Sequence, residues 1–338
     1  MPLWADIIDP ATLTGYARRA QQEYEAARGT LGRWLPYRET GDIVARFVAG
    51  SSGLVAEARY RAYDAEPEIG KGQGGKRVTI ELPAVSQNIP VSEYQQLRTR
   101  NASDEQLRGQ ILRTTRDVVA AICDRTERTR GVVLATGKAT VNQSNFGLDD
   151  DFGRAAGHTF TVAALWNTAG ADRLAHLQTA FDLYVAANGV APGAIVGSTR
   201  VFRALQAGSQ FATQLGNGSS RPALASEVNA LIEGAGLPPY FTYDRRTSSG
   251  AVLSDDTLLF LPAPVDPNTG ESELGATFWG TTLTSTDPTY EIEPAEQPGI
   301  VVGVYRGEKP PMIAEVVGDA IALPVLANAN LSLAMKVL

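Results

Sequence analysis

With 338 residues and a formal net charge of −7, the chain is long enough to bury a real core, about two domains' worth. It is too acidic for its main surface to grip phosphates through clustered Lys and Arg. Only five of its thirty basic residues are lysines, and that arginine bias, with abundant Ala and Gly, hints at a GC-rich genome. Cys123 is the single cysteine, so no intrachain disulfide can form and a reducing compartment fits. The N-terminal MPLWADIIDPATL carries Asp6 and Asp9 and lacks the basic start and apolar run of a signal peptide. Nor is there an apolar run of about eighteen residues, because Asp319 and Pro324 interrupt the best candidate near the C-terminus.

In chain order, Asp9 caps a first helix with Pro10 at its opening position, predicted to run to about Ala27. Residues 29–36 read as an extended link. The segment RYRAYDAEPEIGKGQGGKRVTIELP (59–83) reads as a two-stranded arm: Val78, Ile80 and Leu82 alternate with Thr79 and Glu81, and residues 59–63 are the expected antiparallel partner. Gly70, Gly72, Gly74 and Gly75 form a tip too flexible for regular structure. A two-stranded ribbon is marginal in water by itself, so the arm needs a bed, and an arm that needs a neighbour suggests an assembling protein.

A long amphipathic helix follows. Ser103 and Gln106 make an S-x-x-Q capping box, and Asp104 and Glu105 favour the positive end of the helix dipole. Leu107, Ile111, Thr115, Val118 and Ile122 fall on one face. Arg108, Arg113, Arg116, Asp117, Asp124, Glu127 and Arg128 are expected on a solvated face, with Asp124 and Arg128 spaced for an i,i+4 pair. Gly131 is expected to bend the helix and Gly137 to stop it. Residues 142–157 read as polar turns. A helix at 169–187 presents Leu174, Leu177, Phe181 and Val185, and a short buried strand follows at 194–197. Ser198 then caps a helix at 200–207, and another spans 226–234. Strands are expected at 240–243, 258–261 and 276–279, with a hairpin-like loop at 262–275 turning at Asn268-Thr269-Gly270. A polar connection at 284–298 precedes closing strands at 300–305, 313–317 and 331–337.

Motifs of chemistry are weak. Gly70, Gly72 and Gly75 satisfy G-x-G-x-x-G, and Gly70, Gly75 and Lys76 most of a P-loop, but a strand follows where a phosphate site needs a helix, and Arg77 replaces the Ser or Thr. His158 and His176 lack ligand spacing and no G-x-S-x-G elbow exists. Cys123 reads as a small buried hydrophobe, and Asp149-Asp150-Asp151 as a solvated turn with no closing glutamate. Glu291, Glu293 and Glu296 could pair for glycoside chemistry, but their setting between prolines reads as an exposed loop. No catalytic residue, metal ligand or cofactor is expected, and no membrane contact.

The order of parts resembles tailed-phage major capsid proteins, nearest to the lambda-type capsid protein E family with the Hong Kong ninety-seven capsid fold. The segments that carry the likeness are Leu35-Pro36, RAYDAE (61–66), LPAVSQNIPVSEYQQLRTRN (82–101), Phe146-Gly147, LWNTAGADRLAHL (165–177), PGIVVGVYRGEKPP (298–311) and DAIALPVLANANLSLAMKV (319–337). Each is weak alone, and their order and spacing make the signal.

The resemblance implies an α+β fold. Its parts would be an N-terminal arm (1–42), an extended loop (43–101), a peripheral domain with a spine helix (102–168), an axial domain (169–298) and closing strands returning to the peripheral domain (299–338). It implies a structural subunit of an icosahedral shell around phage DNA, forming hexamers and pentamers in the host bacterial cytoplasm. Its partners would be a separate scaffolding protein, a portal protein, a decoration protein, and packaged double-stranded DNA by weak non-specific contact. A separate scaffold is expected because only about forty residues precede the arm, too few for a fused domain. Lys71, Gln73, Lys76 and Arg77 at the loop tip are the candidate intersubunit contacts. Some relatives cross-link a loop lysine to a neighbour's asparagine. No partner for Lys71 or Lys76 is identifiable, and no cross-link is expected. Gly131, the tip glycines and residues 29–32 are the candidate flexible joints. The alternatives are an encapsulin-like cellular shell and, from another class, a nucleotide-using soluble enzyme built on the Gly70 to Lys76 loop.

Overall fold

The computed structural model describes residues 2–49, 76–98, 104–143, 146–168, 170–214 and 220–338. Two five-stranded sheets organise the chain, and one long helix ties them together.

The first sheet is built on a 13-residue strand, Ala314–Leu326. Gly275–Gly280 pairs with its second half and Val301–Arg306 with its first, both antiparallel. Ala84–Val91 pairs with residues 314–321 from the opposite edge. Residues 281–300 are therefore an excursion between two strand pieces lying end to end, pinched shut by a Thr281–Pro298 bridge and the Gly299 N–H bond to the Gly280 carbonyl. Tyr37–Glu39 pairs in parallel with Gly275–Gly280. The outer edge of Val301–Arg306 is closed by the N-terminus: Trp4 donates to the Val304 carbonyl, Arg306 to the Pro2 carbonyl, and Thr14 Oγ1 meets both N–H and C=O of Val302. Capped edges of this kind suppress unwanted strand pairing.

The second sheet runs in the order Tyr240–Thr242, Ala194–Gly197, Thr257–Leu261, Leu333–Lys336, Thr159–Thr161. Helices Arg173–Asn188, Thr199–Gln206 and Ala225–Gly234 belong to this half of the chain. Asp172 caps the first by accepting from Ala175 N, and Ser198 caps the second by accepting from Val201 N. The buried face of Arg173–Asn188 is Leu177, Ala180, Tyr184 and Asn188. That face is rotated from the expected one, on which Leu177 alone is fully buried.

The spine is one continuous helix, Asp104–Thr136, of 33 residues. It ends at Gly137, whose φ of 74° supplies the left-handed cap. Arg154 completes that end by donating to the Leu134 and Ala135 carbonyls at 2.8 and 2.5 Å. Gly131 lies within this continuous helix, and a Cβ there would collide with the Val252 carbonyl, so glycine is needed for close packing. Gly318 plays the same part where the spine crosses the long strand, against Val118 and Ile122.

Several expectations are corrected. The link at 29–36 contains a 3-10 turn, Leu31–Arg33, with Leu31, Trp34 and Leu35 buried and Gly32 packed rather than free. Lys138–Gln143 pairs antiparallel with Phe146–Asp151, so the acidic triplet lies on a strand. Cross-strand pairs hold it, Lys138 with Asp151 at 2.8 Å and Thr140 with Asp149 at 3.0 Å. The loop at 262–275 is not a hairpin, since its flanking strands belong to different sheets. The closing strands divide likewise: Leu333–Lys336 joins the second sheet and the other two the first.

Apolar burial falls into two clusters. One gathers the first helix (Pro10–Arg28), Val302, Val304, Val316 and Ala320 of the first sheet, and Ile111, Val118, Val119, Ile122 and Cys123 of the spine. The other gathers the second sheet, its helices, the arm base, Phe278, Leu323, Val325 and Leu326 of the first sheet, and Val133 and Leu134 of the spine. The spine thus crosses from one core to the other.

Candidate functional site: an assembly arm and a buried polar layer

The arm stem is an antiparallel ribbon, but the partner of Lys76–Glu81 is Val44–Ala49. The expected partner, residues 59–63, lies outside the described residues, as do Lys71, Gln73 and the tip glycines. Lys76 stands opposite Ala49, and Arg77, exposed, opposite Val48. One face of the ribbon packs inward: Ala45 and Ile80 are buried, and Phe47 stacks on Phe278 at 6.4 Å. Phe278 lies on Gly275–Gly280, so the bed that sequence neighbours do not provide comes from far along the chain. The other face carries Arg46, Val48, Arg77 and Thr79, with Val48 47% exposed. Because Lys76–Glu81 is a strand, the glycines precede no helix N-terminus, and the phosphate-binding geometry lacks its anchor.

Between the two apolar cores the spine contributes charge. Glu127 and Arg130, expected on the solvated face in the case of Glu127, are fully buried. Glu127 Oε1 accepts from Leu31 N at 2.6 Å and Tyr243 OH at 2.5 Å; Oε2 accepts from Thr30 Oγ1 and Arg130, both at 2.9 Å. Arg130 also donates to Glu25 at 3.1 Å and through Nε to Thr277 Oγ1 at 2.9 Å. Asp124 does not pair with Arg128. It accepts from Arg245 at 3.0 Å and from Tyr24 OH at 3.1 Å, while Arg128 donates to the Ser249 carbonyl. Arg245 donates to the Gly29 carbonyl at 2.8 Å and lies over the Tyr24 ring.

Burial alone would lower the Arg130 pKa, but Glu25 and Glu127 more than reverse it and hold the guanidinium charged. For Arg245 burial is likewise outweighed, by Glu127 and Asp124. Burial, and then the charge of Glu127, pushes the Tyr243 hydroxyl far above its usual value, so it stays a donor.

The other candidates are placed apart. Cys123 is buried in the first core, and burial followed by the charge of Glu25 pushes its thiol up. His158 is 4% exposed with Nδ1 facing the Ser332 carbonyl, a core position rather than a strand edge. His176 accepts from Trp166 Nε1 at 3.1 Å. Glu291, Glu293 and Glu296 are exposed on the 281–300 excursion. Among the described residues no group of three or more His, Cys, Asp or Glu side chains could hold a metal, and no helix is long and apolar enough to cross a membrane. A groove of about 570 Å³ beside the arm base is lined by Pro83, Val85, Ile122, Val141, Phe146 and Leu323 among others, and Arg125 is the one ionisable group among its described lining residues.

The ribbon stem, the long helix that joins two cores and the two five-stranded sheets together make the architecture of a shell subunit. The chain belongs to the family of phage major capsid protein E, whose model matches residues 47–264. It is a structural subunit of a phage capsid. No curated protein matches it by sequence. Among solved structures it resembles a prophage capsid protein of Escherichia coli CFT073, with a TM-score of 0.64 and 14% identity over 98% of this chain and 99% of the other. It also resembles a phage-related protein of Bordetella bronchiseptica RB50, at 0.60 and 13% over 97% and 96%. A third is the capsid protein of cyanophage P-SCSP1u, at 0.51 and 11% over 91% and 88%. At these identities the likeness is one of fold, and it establishes the α+β capsid fold.

Proposed function

We propose that the chain assembles through itself, as hexamers and pentamers, into an icosahedral shell that encloses double-stranded phage DNA, and that it catalyses no reaction of its own. The observation that carries this reading is the arm stem. It buries one face on its own subunit and turns the other, with Arg46, Val48 and Arg77, outward toward contact with a neighbour. Lys71, Gln73, Lys76 and Arg77 are the residues we assign to that contact. Many weak contacts of this kind add up through multivalency.

The spine and first sheet form the peripheral domain in this reading, and the second sheet with its helices the axial domain that gathers around five- and six-fold positions. Assembly takes place in the host bacterial cytoplasm with a separate scaffolding protein, a portal protein at one vertex, and a decoration protein on the outside. Packaged DNA touches the shell by weak, non-specific contact, consistent with the net charge of −7.

The test is electron microscopy of the sedimented full-length protein, expressed with and without its scaffolding protein. Closed, uniform shells are expected with the scaffold. Uniform shells from the chain alone would sink the scaffold requirement, and a compact monomer under both conditions would sink the shell itself. Particles loaded with an enzyme in place of DNA would instead favour a cellular shell. A ladder of covalent oligomers on a denaturing gel would show cross-linking through the loop lysines.

A further inference from the structure

The spine's apolar residues stop at Cys123 in one core and resume at Val133 in the other. The interval is filled by Asp124, Glu127 and Arg130, and their partners come from three different parts of the chain. Glu25, Thr30 and Leu31 come from the first helix and its link, Tyr243 and Arg245 from the second-sheet side, and Thr277 from the first sheet. A polar layer separating two apolar cores is an expensive way to gain stability, because the desolvation of buried charge offsets most of its attraction. It does supply direction. Apolar contact is non-directional, whereas hydrogen bonds at 2.5–3.1 Å to Glu127 and Arg130 tolerate little rotation before they break.

From this arrangement we infer that the Glu127–Arg130–Arg245 layer is the joint that sets the angle between the two cores, and through that angle the curvature of the shell. The inference rests on the shell-subunit reading above. Glu127 sits at the pivot with all four described donors converging on its two oxygens. The neighbouring turn is clasped from the second-sheet side. The Val252 carbonyl seats against Gly131, and Arg128 holds the Ser249 carbonyl at 3.0 Å. Rotation of one core against the other would break the ionic layer and unseat the clasp together, while flexing the 13-residue strand whose Val316 and Ala320 lie in one core and Val325 and Leu326 in the other. Repeated subunits close into a uniform shell only when each contributes the correct angle, so a loosened joint changes particle geometry before it abolishes contact.

The experiment is a graded series in the full-length chain, Tyr243→Phe, Arg245→Lys and Arg130→Lys. Each variant is checked for folding by thermal melting and then assembled beside the wild type, with particle diameters read by electron microscopy. Folded variants are expected to give a spread of diameters about twofold or more wider than wild type, with tubes or open sheets appearing as the series proceeds. Wild-type diameters from the folded variants would overturn the inference. So would a Tyr243→Phe chain that fails to fold, since the layer would then be a stability element only. Failure of the wild type to form particles at all would instead count against the shell reading, so the two failures are distinguishable.

Discussion

The two halves of the spine obey different rules. From residue 104 to about 121 the helix is amphipathic in the ordinary sense: Ile111, Thr115, Val118 and Val119 are buried while Arg108, Arg113, Arg116 and Asp117 face water. From 122 to 134 burial spreads round the helix and takes in Thr126, Glu127, Thr129, Arg130 and Gly131. The residue types barely change between the halves. What changes is the surroundings, because the first half lies on one sheet and the second passes between two cores. A charged residue on a helix is thus uninformative about burial until its partners are known, and those partners here lie about 100 residues or more away, at Glu25, Tyr243 and Arg245.

The sharpest way to break this comparison is to remove an arginine from each half. Arg130→Met strands Glu127 and Glu25 in the interior and is expected to cost about 3–5 kcal/mol, read by denaturant unfolding of the unassembled subunit. Arg113→Ala, on the exposed half, should stay within about 0.5 kcal/mol of wild type. Equal effects from the two would erase the distinction.

Next in size is Ile122→Ala at the border between halves, expected to lose about 2–5 kcal/mol through lost contact and an unfilled cavity. Gly131→Ala should cost about 1–3 kcal/mol by overpacking against Val252, and a neutral or stabilising result in the same melts would show that the clasp is not seated there.

The smallest effect concerns pH. Burial holds the His158 imidazole below its usual value, with hydrogen bonds to Ser332 and Asn330 opposing in part. As the pH falls below about 6.5 the unfolded chain therefore takes up a proton before the folded one does, and stability declines. His158→Gln should flatten that part of the stability curve, and an unchanged slope would assign it to another group.

The local signals read well where they were self-contained. Asp9 with Pro10 places the start of the first helix, Ser198 caps Thr199–Gln206, and Gly137 ends the spine. The strand at Ala194–Gly197 carries its own apolar run and is found with those bounds. The strand expected at 313–317 is much longer, Ala314–Leu326, and runs through Asp319 and Pro324. Both are accommodated by neighbours: Asp319 accepts from Ser86 at 2.6 Å and from Thr284 at 3.1 Å. Pro324 stands opposite Thr277, whose own N–H goes to Pro36, so the missing proline N–H faces away from that ladder and costs no bond there. The paired strands Lys138–Gln143 and Phe146–Asp151 give only a short alternation, Ala139 with Val141 and Phe146 with Leu148, set among Asn, Gln, Gly and Asp residues that read as turns.

By itself the sequence determined the start of the first helix, the end of the spine, the strand at Ala194–Gly197 and, by the order of its parts, the capsid family. Each of these is written in residues close together in the chain, where capping, alternation and turn chemistry act. Only the tertiary structure decided that Val44–Ala49 pairs with Lys76–Glu81, that Phe278 is the bed of the arm, and that Glu127 and Arg130 sit inside the protein. Those outcomes depend on which distant surfaces meet, and a buried charge carries no local mark that separates it from a solvated one.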